Sequence, residues 1–96
     1  MHILVAYDVN TTTPEGERRL RRVAQVCLNY GQRVQKSVFE CTVTEAQYEA
    51  LRQRLLGEID AGVDSLRLYR LPLPKEQVCE RFGVQREVDF EGPLVV

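Results

Sequence analysis

The chain has 96 residues, of which 44% are hydrophobic and 28% charged, with a formal net charge of -1 at pH 7. We expect one domain, residues 1–96, with a single core and little surplus stability, so dimerisation is a natural way to bury more surface. The sequence lacks both an apolar run of about 18 residues and a basic start followed by an apolar run. We therefore expect no membrane span, no secretory leader and a cytoplasmic location.

The cysteines and the lone histidine argue against several kinds of site. Cys27, Cys41 and Cys79 lie far apart in sequence, form no C-x-x-C pair and have only His2 as a nitrogen ligand to share a metal with. This pattern argues against a zinc site or a disulfide framework and predicts three packing thiols. Without a second histidine, neither a Ser-His-Asp triad nor a Cys-His pair is expected within one chain.

The first predicted element is a strand, because Ile3–Val9 is a β-rich apolar run whose last polar residue is Asp8. The turn-prone segment Asn10–Pro14 follows, so Asp8 leaves the sheet where loops gather and sites are usually built. Two interpretations are open: Asp8 caps the turn, or its carboxylate binds a metal ion. Mg²⁺ takes one or two protein carboxylates, with waters and phosphates as its other ligands. Two Asp8 carboxylates related by the twofold axis of a dimer would meet that requirement.

The second predicted element is a helix with a marked start and a marked end. Thr13 is predicted to be its N-cap, Pro14 its first residue, and Gly31 the left-handed residue that ends it. Apolar residues recur at helical spacing and predict one buried stripe, formed by Leu20, Val23, Ala24, Cys27 and Leu28.

The same helix is rich in arginine, and these arginines are predicted to face outward. Residues 14–36 contain five Arg and one Lys against two Glu, a local excess of four positive charges. One interpretation is a phosphate-binding face on a protein that is slightly acidic as a whole. The other is ordinary i,i+4 pairing of Glu15 with Arg19 and of Glu17 with Arg21, which leaves Arg22 without an acidic neighbour in its helix. The cations that would form the phosphate-binding face are Arg18, Arg19, Arg21 and Arg22, with Arg33 and Lys36 as additions to the same surface.

The middle of the chain predicts two further strands and a second helix. Residues 33–43 are rich in Val and Phe and predict two short strands or one bent strand. A capping box at Thr44 starts a helix that is predicted to stop at Gly62. Ser65–Leu71 alternates between apolar and polar residues, as in a strand.

The C-terminal part predicts a short helix over Lys75–Phe82, with Val78 and Phe82 facing inward, and one or two extended pieces over residues 84–96. The order of the main elements predicts an α+β, ferredoxin-like βαββαβ fold with an antiparallel sheet and both main helices on one face. The other face of such a sheet needs a cover, and a second copy of the chain is the simplest candidate. We therefore expect a homodimer.

Three segments together resemble a known family. Tyr7-Asp8-Val9 follows a β-run, the arginine-rich helix ends in Tyr30-Gly31, and the stretch from Arg33 to Glu40 contains Ser37-Val38-Phe39. In this combination and spacing they resemble the small CRISPR-associated endoribonuclease family, whose members act beside the integrase in spacer acquisition.

The resemblance implies a ferredoxin-like homodimer whose C-terminal strand packs on the partner's sheet, with Mg²⁺, or alternatively Mn²⁺, at paired Asp8 residues. It places Asp8 as the catalytic, metal-binding residue. It implies either a metal-dependent endonuclease acting on RNA or DNA in antiviral defence, or a non-catalytic scaffold that bridges integrase dimers on incoming DNA. The residues that would contact nucleic acid are Arg18, Arg19, Arg22 and Arg33.

Overall fold

The main elements alternate as the sequence predicts. The computed structural model describes residues 1–72 and 75–84. The elements are β1 (His2–Asp8), α1 (Pro14–Tyr30), β2 (Gly31–Gln35), β3 (Val38–Thr42), α2 (Glu45–Glu58), β4 (Ser65–Leu71) and α3 (Lys75–Val78). The fold is therefore α+β and ferredoxin-like, which confirms the prediction. The extended pieces predicted near the C-terminus lie outside the described residues, apart from residue 84.

The four strands form one antiparallel sheet in the order β2-β3-β1-β4. Strand β1 is central: Val5 lies opposite Phe39 of β3 and opposite Leu68 of β4. Of the two alternatives predicted for residues 33–43, the structure has two short strands, of which β2 begins two residues earlier, at Gly31; their pairing is irregular between Arg33 and Gln35.

The core lies between the helices and one face of the sheet. Alternate residues of β1, namely Ile3, Val5 and Tyr7, are buried, as the two-residue period of a strand requires. They cluster with apolar residues of both main helices. The largest side chains that are almost completely buried are Phe39, Ile3, Leu51 and Leu55.

Both main helices begin at the predicted caps. The Thr13 hydroxyl accepts a hydrogen bond from the Gly16 N–H at 3.1 Å, and Pro14 occupies the first turn. At α2, the Thr44 hydroxyl accepts from the Gln47 N–H at 3.1 Å while the Gln47 side chain accepts from the Thr44 N–H at 2.9 Å. This is the predicted capping box. No helix among the described residues is long and apolar enough to cross a membrane.

Gly31 follows α1 for a different reason from the one predicted. Its φ of -165° is extended and not left-handed, so the expected left-handed end is wrong. A Cβ at this position would instead collide with the Glu40 carbonyl oxygen and with Cys41 of the paired strand β3. Glycine is required here by the close approach of two strands.

Helix α2 ends at Glu58, four residues before the predicted stop at Gly62. The backbone N–H groups that would continue the helix are taken by side chains: Asp64 accepts from the Asp60 N–H at 2.8 Å, and Asp60 accepts from the Gly62 N–H at 3.0 Å. Such local hydrogen bonds compete with helix formation.

The predicted inward face of the third helix is also wrong. Helix α3 is a single turn that ends at Val78, so the helical period cannot bring Phe82 to the same face. Val78 is 40% exposed and Phe82 is 85% exposed.

Candidate functional site

The candidate site lies at the end of the sheet where β1 finishes. Asp8 is the last residue of β1, is exposed, and lies opposite Ser65 at the start of β4. The Tyr7 N–H donates to the Ser37 carbonyl oxygen at 3.1 Å, which brings the β2–β3 turn to the same end. The end of β1, the β2–β3 turn with Lys36 and the start of β4 therefore meet here.

The Asp8 carboxylate is not used by the turn that follows it. The Asn10 side chain organises that turn by accepting from the Thr12 N–H at 3.0 Å and from the Thr12 hydroxyl at 2.7 Å. Within residues 1–72 and 75–84, Asp8 has neither a hydrogen-bond nor an ion-pair partner for its side chain. It is thus an exposed acid on a central strand, available to an external ligand.

The side chains at this end of the sheet supply only some of the oxygen ligands that Mg²⁺ requires. Carboxylate oxygens are ligands that Mg²⁺ prefers. Across the part of the chain that the structure describes, however, no group of three or more His, Cys, Asp or Glu side chains could hold a metal. Among the described residues of this strand end, Asp8 is the acid whose side chain has no partner.

Arg18 and Arg22 form an exposed pair on the first turns of α1. They are four residues apart and share one helix face. Arg18 has no ion-pair partner within the described chain, and Arg22 is 3.9 Å from Glu58 of α2, with 63% of its side chain exposed. The helix itself gives Arg22 no acidic neighbour, as expected, but α2 supplies one. A contact of this length on the surface leaves Arg22 able to bind a phosphate.

Arg19 does not belong to this exposed pair. Its Nε lies 2.8 Å from Asp64 Oδ2 and its Nη2 lies 3.2 Å from Asp64 Oδ1, and the Asp64 side chain is completely buried. The expected pairing with Glu15 is replaced by this bidentate contact. The guanidinium of Arg19 is therefore occupied by a contact within the protein, which leaves it less able to bind nucleic acid.

Arg33 also lies away from the exposed arginines. It is opposite Phe39, faces the helices and is 7% exposed. Its guanidinium lies over the Phe39 ring, and its Nε is buried without a hydrogen-bond partner in the described residues. The structure thus groups Arg18 and Arg22 and separates them from Arg19 and Arg33.

The buried groups near Arg33 are poor candidates for proton transfer. Burial, followed by the Cys27 thiol, raises the pKa of Tyr7 to about 12, although Arg33 opposes the shift. Burial is also the main cause that raises the pKa of Cys27 to about 12 and that of Cys41 to about 11. Both thiols are buried and stay protonated, as predicted for packing cysteines, whereas Cys79 is only half-buried.

A profile of the family described as CRISPR associated protein Cas2 matches residues 1–78. The chain belongs to the Cas2 family. Among its relatives, the CRISPR-associated endoribonuclease Cas2 1 of Moorella thermoacetica is 56% identical over 96 residues, covering all of both chains. The CRISPR-associated endonuclease Cas2 of Halalkalibacterium halodurans is 46% identical over 95 residues, 99% of each chain. The Cas2 resemblance noted in the sequence is thus confirmed.

Solved structures of similar proteins share the fold. The crystal structure of Streptococcus pyogenes Cas2 at pH 6.5 superposes with a TM-score of 0.77 at 51% identity, covering 86% of this chain and all of that one. A hypothetical protein of Thermus thermophilus superposes with a TM-score of 0.73 at 35% identity, covering 88% of this chain and 93% of that chain.

Asp64 is the residue of this Cas2-family chain that the sequence did not reveal. It lies next to Ser65, the register partner of Asp8, and its acceptors are filled by Arg19, Asn10 and Asp60. Its only local sign was an aspartate in a short loop after a helix, which is also the pattern of an ordinary turn.

Proposed function

We propose that this chain is a metal-dependent endonuclease that hydrolyses phosphodiester bonds of RNA, DNA or both during CRISPR spacer acquisition. Membership of the Cas2 family and the endoribonuclease and endonuclease names of its relatives support a nuclease role in CRISPR. The observation that carries the proposal is the exposed Asp8 carboxylate, which ends a central strand and has no side-chain partner among the described residues.

The metal would be Mg²⁺, with Mn²⁺ as the alternative, and Asp8 is the residue that would hold it. An exposed carboxylate fits a cation that keeps several waters and takes further oxygens from the substrate. When bound, such an ion lowers the pKa of a coordinated water and offsets negative charge on the phosphate under attack. Tyr7, the ionisable neighbour of Asp8 on that strand, is buried and its pKa is raised to about 12, so it would not compete with Asp8 as a ligand.

The exposed cations would contact the phosphates of the nucleic acid. Arg18 and Arg22 project from the first turns of α1, and Lys36 is exposed at the β2–β3 turn beside the Asp8 end of the sheet. Arginine binds phosphate through paired N–H groups, and such contacts are independent of base sequence. This arrangement suits a backbone-reading nuclease.

The open face of the sheet supports the homodimer that the metal site needs. Leu4 and Ala6 point away from the helices and are only half-buried, and Tyr69, opposite Leu4, is 43% exposed. Covering such apolar side chains with a second copy would remove them from water and relate two Asp8 residues by symmetry. We further propose that the chain works as one cytoplasmic domain with the CRISPR integrase as its partner.

A non-catalytic scaffold that bridges integrase dimers on incoming DNA is the second candidate. What favours it is the sparse donor set: no group of three or more His, Cys, Asp or Glu side chains that could hold a metal occurs in the described residues. The exposed arginines need no metal to contact DNA. An integration assay with purified integrase supports this candidate if Asp8→Asn integrates like wild type and wild type itself cleaves nothing.

The deciding experiment is cleavage of labelled RNA and duplex DNA with Mg²⁺, with Mn²⁺ and with a chelator. Wild type is compared with Asp8→Asn, which keeps the shape and removes the charge. Asp60→Asn is the matched control, because it makes the same change in an exposed aspartate of a nearby loop. We expect metal-dependent cleavage that is lost in Asp8→Asn and kept in Asp60→Asn. Equal cleavage by wild type and Asp8→Asn would indicate a contaminating nuclease and favour the scaffold.

A further inference from the structure

The loop that follows Asp8 is held by a buried carboxylate, that of Asp64, which lies 54 residues after Asn10 in the sequence. Asp64 accepts four hydrogen bonds: from Arg19 Nε at 2.8 Å, from Arg19 Nη2 at 3.2 Å, from the Asn10 N–H at 3.0 Å and from the Asp60 N–H at 2.8 Å. The Asp64 side chain has no exposed surface. A buried carboxylate whose two oxygens both accept hydrogen bonds in this way is held rigidly in place.

This cluster continues the sheet beyond its last paired residues. The β1–β4 pairing ends with Asp8 opposite Ser65, and Asp64 comes directly before Ser65. Where the backbone pairing stops, the Asp64 carboxylate accepts a hydrogen bond from the Asn10 N–H, and Arg19 Nη2 donates to the Asn10 carbonyl oxygen at 3.4 Å. The backbone two residues after Asp8 is thus held on both its N–H and its C=O, while the residues before Asp8 are held by the sheet.

We propose that Asp64 and Arg19 are positioning residues of the Asp8 site, which fix the backbone after Asp8 so that its carboxylate is presented in one place. The inference rests on the proposed metal-binding role of Asp8. Replacing a group that orients a metal ligand typically weakens metal binding about 10- to 100-fold, since a loosely held ligand binds weakly. The Asp8 carboxylate itself has no side-chain partner among the described residues, so its position depends on the backbone that carries it.

The pair persists at every pH at which a nuclease would be assayed. The hydrogen bond from Arg19 is the largest cause that lowers the pKa of the Asp64 carboxyl to about 2, and the N–H groups of Asp60 and Asn10 act in the same direction. The Arg19 pKa is raised in turn by Asp64. The ion pair between Arg19 and Asp64 therefore does not change with pH near neutrality.

The test uses two variants and one matched control. Asp64→Asn replaces one acceptor oxygen with an N–H₂ group, which faces the donors that the carboxylate bound. Arg19→Lys keeps the charge and the buried carboxylate but cannot bridge both oxygens, and it serves if Asp64→Asn fails to fold. Asp60→Asn changes the same loop by the same chemistry, while its side chain can still accept from the Gly62 N–H.

Two quantities are measured on the full chain: backbone ¹⁵N order parameters at Asp8 and Asn10 without metal, and Mn²⁺ affinity without nucleic acid. We expect order parameters of about 0.85 at both residues in wild type and Asp60→Asn, and a fall toward about 0.6 at both in the two test variants. Mn²⁺ should then bind about tenfold more weakly in those variants, the lower end of the range for residues that orient metal ligands.

The outcomes separate this inference from the proposed function. A fall at Asn10 alone, with Asp8 and Mn²⁺ affinity unchanged, would overturn the positioning role and leave the pair as loop structure only. If wild type binds no Mn²⁺, the proposed metal role of Asp8 fails, whereas the order parameter of Asp8 still decides whether Asp64 and Arg19 fix it. A loss at both residues in either test variant, absent from the control, supports the inference.

Discussion

The guanidinium of Arg33 lies over the ring of Phe39, 5.1 Å from its centroid. The two residues are opposite each other in β2 and β3 and face the helices. Tyr7 packs beside the same ring, with the two ring centroids 6.1 Å apart. The aliphatic part of Arg33 and its guanidinium therefore cover part of the core at Phe39, as amphipathic side chains do. The charge of Arg33 has no acidic partner in the described residues.

Replacing Arg33 by Met should leave the free energy of unfolding equal to or above that of wild type. Met keeps the unbranched packing over Phe39 and removes a buried Nε that lacks a hydrogen bond. Arg33→Ala loses the packing as well and should be less stable by about 1–3 kcal/mol. Urea unfolding followed by circular dichroism measures both variants. If Met is as destabilising as Ala, the charge of Arg33 is used in the folded protein.

Removing the exposed arginines should weaken nucleic-acid binding and reduce its dependence on salt. In Arg18→Gln/Arg22→Gln, the slope of log affinity against log salt should become shallower by about one for each lost phosphate contact. Arg70→Gln is the control, because Arg70 is 3.1 Å from Glu45 and lies near the other end of β4 from Ser65. The measurement is binding of duplex DNA and of RNA over a series of salt concentrations. An unchanged slope in the double variant would exclude this helix face as the phosphate contact.

The local features of the fold could be predicted because each depends on residues close in sequence. Thr13 and Thr44 cap helices through bonds that span three residues, and the alternation of Ser65–Leu71 follows from the pleat of a strand. Asp8 was recognised because a strand end followed by turn residues is readable from a few positions. The binding of a metal ion by Asp8 and its pairing with Asp8 of a second chain stay predictions.

The contacts of the arginines could not be predicted, because their partners lie far along the chain. Arg19 reaches Asp64 at a separation of 45 residues, and no local pattern favours that carboxylate over Glu15. The sequence predicts Arg33 among the exposed cations because a strand residue can face either side of a sheet, and the irregular pairing between Arg33 and Gln35 obscures the alternation. Only the three-dimensional packing separates these residues from Arg18.

Asp64 should make stability depend on pH at the acid end. Its folded-state pKa of about 2 lies below its ordinary value of 3.8, so its contribution is present above about pH 4 and is lost as the pH falls toward 2. Asp64→Asn cannot be protonated, so it should be less stable than wild type near neutrality, with the difference shrinking below about pH 4. Urea unfolding across this range measures the effect, with Asp60→Asn as the control. A difference that stays constant with pH would mean that the Asp64 charge contributes nothing.

Two glycines should respond in opposite ways to the same substitution. At Gly31 an added Cβ collides with the Glu40 carbonyl oxygen and with Cys41, so Gly31→Ala should lower the free energy of unfolding by about 1–3 kcal/mol. At Gly57, inside α2, nothing lies within 4 Å of the added atom, and Ala is the better helix former. Gly57→Ala should therefore raise stability by about 0.5 kcal/mol. Thermal and urea unfolding distinguish the two variants. If Gly31→Ala is tolerated, β2 can shift away from β3, and the cover that Arg33 gives to Phe39 would shift with it.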